Sequence, residues 1–293
     1  MAYLLNPAVM AAAMALGMLL AVRLYIDGSV AGLIEAIVIG GLVYAIGVPT
    51  LFIGVIMLLH RRGKYRQALR FLAPFERFRL TATMARDFRG HMLLTLGEFD
   101  EAERIMRATV TDPKQDTMLR AVNLDSLGEL LVQREKWDEA ERVLRWAIEA
   151  DPNRGGSYSS LAQVVLERDQ DAEQALVILQ QAMEGEGRDP NAAARTRLGN
   201  DLRCEILATQ AAALAHLGRA VEAEQTLQEA IRLEPGKSRP DIADIRWRAG
   251  LVYEKLGRPS NARTHYQAAA EADPESWIGQ QSRQAADRLA TVS

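Results

Sequence analysis

Apolar and polar positions follow two different rules along this chain. From Tyr3 to Leu59 the apolar run is almost unbroken, and Arg23, Asp27 and Glu35 are the only Asp, Glu, Lys or Arg residues before His60. Beyond His60, apolar residues recur three and four apart among charged ones, the spacing that gathers them on one face of a helix. That second part is punctuated by Leu96-Gly97, Leu217-Gly218 and Leu256-Gly257, and by Asp151-Pro152, Glu234-Pro235 and Asp273-Pro274. Such breaks end helices. Hardly any stretch reads as strand, so the pattern predicts an all-α protein built from short helices in pairs.

The clearest pair spans Ala121 to Pro152 and sets a 34-residue period. With Ala121 as position 1, Leu124, Leu127, Gly128, Leu131, Ala140, Leu144, Ala147 and Pro152 fall at 4, 7, 8, 11, 20, 24, 27 and 32. Small residues at 8, 20 and 27 let two helices cross closely, and large apolar ones fill the space between. The unit resembles a tetratricopeptide repeat. Further copies start at Thr83, near Gly155 (with one residue inserted between its helices), at Cys204 and at Ala243. Five repeats thus cover roughly Thr83 to Pro274. Gly63 to Ala68, with Leu72, copies the second helix of a repeat, whose first helix would be Pro49 to Arg62. Pro74 should end that helix early.

The run Ala36 to Leu59 holds 24 uncharged residues, a helix of about 36 Å against a hydrocarbon core of about 30 Å. Tyr3 to Val22 is a second apolar run, and Asp27-Gly28-Ser29 reads as the turn between them. The expected layout is a membrane hairpin over residues 1–59 (helices about 3–26 and 30–59), a basic half-repeat over 60–82, a superhelical solenoid over 83–275 and a polar capping helix over 276–293. Arg61, Arg62, Lys64, Arg66 and Arg70 follow the second span directly. By the positive-inside rule they place the repeats in the cytoplasm, below a cell (inner) membrane that the chain crosses twice. The basic cluster can also touch anionic lipid. The small-residue ridges Ala13-Gly17-Ala21 and Gly41-Ala45 let the hairpin helices pack together, or dock a membrane-protein partner.

Charge and composition narrow the function. After His60 the chain carries 34 basic and 36 acidic residues of the 35 and 38 in the whole sequence. This near-neutral surface argues against nucleic acid, which needs a basic one. The single cysteine, Cys204, read as sitting at a helix start, and four scattered histidines offer no metal or catalytic constellation, so neither a cofactor nor an enzymatic reaction is expected. Asp138 to Arg142 has the composition of a solvated helical face.

The resemblance implies a protein-binding scaffold whose concave face is lined by positions 2, 5, 9, 12 and 13 of each first helix. The reference repeat places Val122, Asp125, Glu129, Val132 and Gln133 there, a set without the Lys, Asn and Arg that would clamp a peptide carboxylate. The last two repeats place Ala208, Ala212, Trp247 and Leu251, an apolar strip with an aromatic anchor, and the first contributes Phe88 and His91. These six are the candidate groove. Arg246 stands where a large apolar residue is expected, so Trp247 either lines the groove or has slipped into the core. The expected function is a membrane-tethered adaptor for the assembly or regulation of a membrane complex. A self-associating scaffold, or an accessory subunit of an enzyme or transporter, are the other readings.

Overall fold

The computed structural model describes residues 48–77, 82–111, 117–152, 154–186 and 192–291. The described residues form thirteen α-helices and no strand: α1 Val48–Arg61, α2 Tyr65–Leu72, α3 Ala82–Leu96, α4 Phe99–Val110, α5 Thr117–Gln133, α6 Trp137–Ala150, α7 Gly155–Val164, α8 Ala172–Glu186, α9 Ala192–His216, α10 Ala220–Arg232, α11 Arg239–Lys255, α12 Pro259–Ala272 and α13 Trp277–Ala290. Helices α3 to α12 pair as five repeats.

Each pair is held by the small-against-large crossing that the sequence pattern requires. Ala102, Ala140, Ala147, Ala223, Ala230, Ala262 and Ala269 are fully buried. At Gly128 and Gly250 a β-carbon would fall inside the side chains of Leu144 and Tyr266 respectively, so each glycine is a seat for the residue opposite. Neighbouring pairs share one core from Leu93 to Ala213, and a second from Ala211 to Ala286 continues it.

The extra residue of the third repeat is absorbed without loss of register. Residues Val165–Asp169 form a single π turn, and Gln170 closes it with φ at 54°. Glu135, at the matching place in the second repeat, has φ at 56°. A π turn lodges one additional residue in a helix while the flanking faces keep their direction.

At the front of the array, α1 and α2 turn as the later pairs do. Lys64 N–H donates to Leu59 O at 2.9 Å, as Glu98 does to Leu93, Arg219 to Leu214 and Arg258 to Tyr253. Gly63 takes the left-handed conformation this cap demands, with φ at 67°. Phe52 and Ile56 of α1 are buried against Tyr65, Ala68 and Leu72 of α2. After α2 the chain leaves the helix at Ala73-Pro74. The rest of α1 presents Leu51, Ile53, Val55, Met57 and Leu58 outward, each 36–49% exposed. Among the described residues no helix is long and apolar enough to cross a membrane. The hairpin expected over 1–59 lies outside them except for α1.

Two expectations are corrected. Cys204 does not start a helix: α9 begins at Ala192 and runs 25 residues, leaving Cys204 buried inside it with Sγ 3.6 Å from Ala230 O. The stretch Asp138 to Arg142 is not merely solvated, because Glu139 pairs with Arg107 at 2.7 Å, and Arg168 reaches Asp138 at 3.0 Å and Glu141 at 2.9 Å. These ion pairs stitch successive repeats together, each contributing at most about 1 kcal/mol at such exposure.

The capping helix does more than cover the last repeat. The array closes on itself. Tyr65 Oη donates to Asp273 Oδ2 across 208 residues of sequence, both groups being buried. Arg61 Nη2 donates to Gly236 O at 3.2 Å. Trp277, at the start of α13, packs edge-on against Phe99 at 5.6 Å and lies so close that a β-carbon on Gly97 would sit 2.7 Å from its Cδ1. The end of the solenoid therefore meets its beginning, and the concave face becomes the wall of a lumen.

Candidate functional site: the enclosed lumen

Two adjoining cavities lie on the inside of the ring. They share Gln133, Asp244 and Arg248 as a common wall.

The first, about 350 Å³, has an apolar patch of Ala208 and Ala212 of α9, Trp247, Leu251 and Val252 of α11 and Leu166 of the π turn. The patch is set among polar side chains that include Gln163, Glu167, His216, Glu254 and Lys255. Four of the six expected groove residues thus meet in one place. Their spacing explains it: residues four apart on a helix share a face, and α9 and α11 lie side by side. Ala208 forms the floor, with no exposed surface, while Leu251 is 40% exposed. Trp247 is half-buried, with its ring 5.1 Å from that of Tyr266. It therefore belongs to core and cavity alike. Arg246 does not displace it, since that guanidinium turns to Glu234, with Nε at 3.1 Å.

The second cavity, about 270 Å³, is polar. His91 lines it, with Ser126 Oγ 3.3 Å from its Nε2. Burial holds the His91 imidazole near a pKa of about 4, helped by His60 and Arg154, so it is neutral at physiological pH. Phe88 is not part of either cavity. It packs among the aromatic side chains at the front of the array, 6.3 Å from Phe52 of α1.

The centre of the polar cavity is a charge cluster that the candidate set did not include. Arg248 donates from Nε to Asp244 at 2.8 Å and from Nη1 to Thr209 Oγ1 at 3.0 Å, with Glu205 at 3.8 Å. Thr209 in turn lies 2.8 Å from Ser159 Oγ. Arg154 pairs with Asp125 at 2.7 Å, and Ser157 donates to the same carboxylate at 2.9 Å. Glu129 accepts no hydrogen bond among the described residues. Its side chain is exposed, on the wall of this partly open cavity. Burial raises Glu205 to about 8 and Glu129 to about 7; Asp125 and Asp244 push both further up, while Arg248 opposes them. Glu205 and Asp244 occupy position 2 of their repeats, so the register did mark them as facing inward. Because α9 and α11 lie side by side, the two carboxylates meet at Arg248.

Among the described residues no group of His, Cys, Asp and Glu side chains is arranged to hold a metal ion. The basic residues Arg61, Arg62, Lys64, Arg66 and Arg70 are all exposed beside α1. Arg61 serves the ring closure, and Arg66 approaches Glu98 at 3.8 Å.

Comparison with known proteins places this geometry in a family. Two models described as tetratricopeptide repeat match residues 126–199 and 202–275, together about half of the chain. A thermophilic tetratricopeptide-repeat protein from Thermus thermophilus has a similar solved structure, with a TM-score of 0.51 and 20% identity, covering 69% of this chain and 98% of that one. The Cut9–Hcn1 hetero-tetramer of the APC/C superposes with a TM-score of 0.56 at 16% identity, over 97% of this chain and 48% of that one. No protein with a curated description matches. At these identities the solved structures establish the fold, an all-α repeat solenoid, and together with the two matched segments they show that this chain belongs to the tetratricopeptide-repeat family.

Proposed function

We propose that this protein is a membrane-tethered adaptor that takes a segment of a partner protein into its lumen on the cytoplasmic side, in the assembly or regulation of a membrane complex. Repeat solenoids of this family present their inner face to other proteins. The observation that carries the reading is the convergence of Ala208, Ala212, Trp247 and Leu251 on one cavity, because a half-buried tryptophan flanked by small apolar residues is the composition of a binding anchor. Tethering is supported by α1: its outward face is apolar, it continues the uncharged run from Ala36, and an exposed basic cluster follows it. That cluster fits the anionic cytoplasmic face of a bilayer.

The test is Trp247→Leu in the full chain. Leucine keeps apolar contact with Tyr266, so the variant should still fold and melt close to the parent. It should lose the partner that co-purifies with the parent from detergent-solubilised membranes. A folded Trp247→Leu variant that retains that partner contradicts the proposal.

A further inference from the structure

The partner's chemistry can be narrowed from the charge of the polar cavity, granted the binding role proposed for the lumen. Glu129, Glu205, Asp241, Asp244 and Asp273 line that cavity, against Arg248 and Lys237 as its cations. His60 and His91 add no charge near neutral pH, since burial lowers both. Arg248 is already engaged by Asp244 and Thr209. Glu129 has no hydrogen-bonding partner among the described residues. Asp273, with no exposed surface, keeps Oδ1 unpaired among them while Oδ2 accepts from Tyr65.

A carboxylate or phosphate entering here would meet this crowd of acidic groups in a protein-walled space, where charge interactions are screened less than in water. Near neutral pH Glu129 and Glu205 hold protons part of the time, and an entering cation would displace those protons and pair with the carboxylates. The apolar patch around Trp247 lies in the adjoining cavity, which shares Gln133, Asp244 and Arg248 with this one.

We infer that the lumen selects a protein segment carrying a bulky apolar residue beside a lysine or arginine, the apolar side chain seated against Trp247 and Leu251 and the cation reaching Glu129 and Glu205. Glu205 has only Arg248, 3.8 Å away and already bonded to Asp244, as a counter-ion, and Glu129 forms no ion pair among the described residues. Asp125, Arg154, Asp244 and Arg248 are the other charged groups that face them.

Selection of short random peptides displayed on phage, against the full chain in detergent micelles, tests the inference directly. The enriched peptides should carry Lys or Arg within a few residues of Leu, Phe or Trp, and their affinity should fall with added salt. The double variant Glu129→Gln/Glu205→Gln removes repulsion rather than packing and should stay folded. It should weaken the selected peptides about tenfold or more, and replacing the peptide's lysine by an uncharged analogue should do the same to the parent. Enrichment of peptides without a basic residue, or unchanged affinity in the double variant, overturns the cation assignment. Should those peptides still lose binding in Trp247→Leu, the groove itself stands. If Trp247→Leu leaves every selected peptide bound, the groove reading fails and the charge assignment fails with it.

Discussion

Glu129 and Glu205 show how one residue's chemistry depends on a distant part of the chain. Each lies on the inward face of its helix, where a single repeat would leave it in water. The elements that meet around the cavity strip part of the water from both, and this desolvation raises their pKa to about 7 and about 8. The sign of the consequence is fixed. In the unfolded chain a glutamate releases its proton near 4.3, so between about pH 4.5 and 8 the folded state holds more protons than the unfolded one. These two groups therefore make stability fall as pH rises, and the fall should show between about pH 7 and 8. Below about pH 6.5 the histidines act in the opposite sense, because burial lowers their pKa and the unfolded chain then binds the extra protons. Thermal melts from pH 7 to 8 should show the decline in the parent and a flatter profile in Glu205→Gln. A Glu205→Gln profile that parallels the parent's over that interval would contradict the desolvated setting of these groups.

The helices themselves were legible because each repeat is a local object. Gly128 under Leu144 and Gly250 under Tyr266 are separated by a fixed spacing, and that spacing alone locates the crossing. The turn at Gly63 was readable for the same reason, although its first helix is built from apolar residues that a bilayer would also accept. The long α9 was not readable, since nothing in the pattern before Cys204 repeats. Nor was the π turn of the third repeat, where the sequence displays an extra residue but not how the backbone takes it in. Two glycines separate local from global demands at this scale. Gly63 and Gly257 hold nearly the same φ, 67° and 68°, but a β-carbon on Gly63 would lie 2.8 Å from Asp273 Oδ1 whereas Gly257 has open space around it. Gly257→Ala should lose about 1 kcal/mol from left-handed strain alone. Gly63→Ala should lose clearly more, by urea titration of both. Equal losses would mean that the front of the array does not touch its end.

For the molecule as a whole, closure is the property that the sequence hid most completely. The Tyr65–Asp273 pair and the Phe99–Trp277 contact depend on the accumulated rotation of every repeat between them, and no local pattern records a sum of small angles. Trp277 was the available hint, a large aromatic ring at the start of a helix otherwise suited to capping. Spin labels at Lys64 and Glu275, both exposed, should report a narrow distance distribution in the parent. Trp277→Ala should broaden it and lengthen its mean, because α13 loses its hold on α3 and α4. A broad distribution already present in the parent would show an open array and dissolve the lumen on which the binding proposal stands.

That the inner face carries the function can be tested most directly by photo-crosslinking in intact cells. A crosslinkable residue at Leu251, at the edge of the apolar cavity, is compared with one at Val221, which is 68% exposed on α10 and lines neither cavity. The account predicts a discrete partner adduct from position 251, absent from 221 and lost when Trp247→Leu is combined with the 251 probe. Adducts from 221 with none from 251 would place the partner on the outside of the solenoid and contradict it.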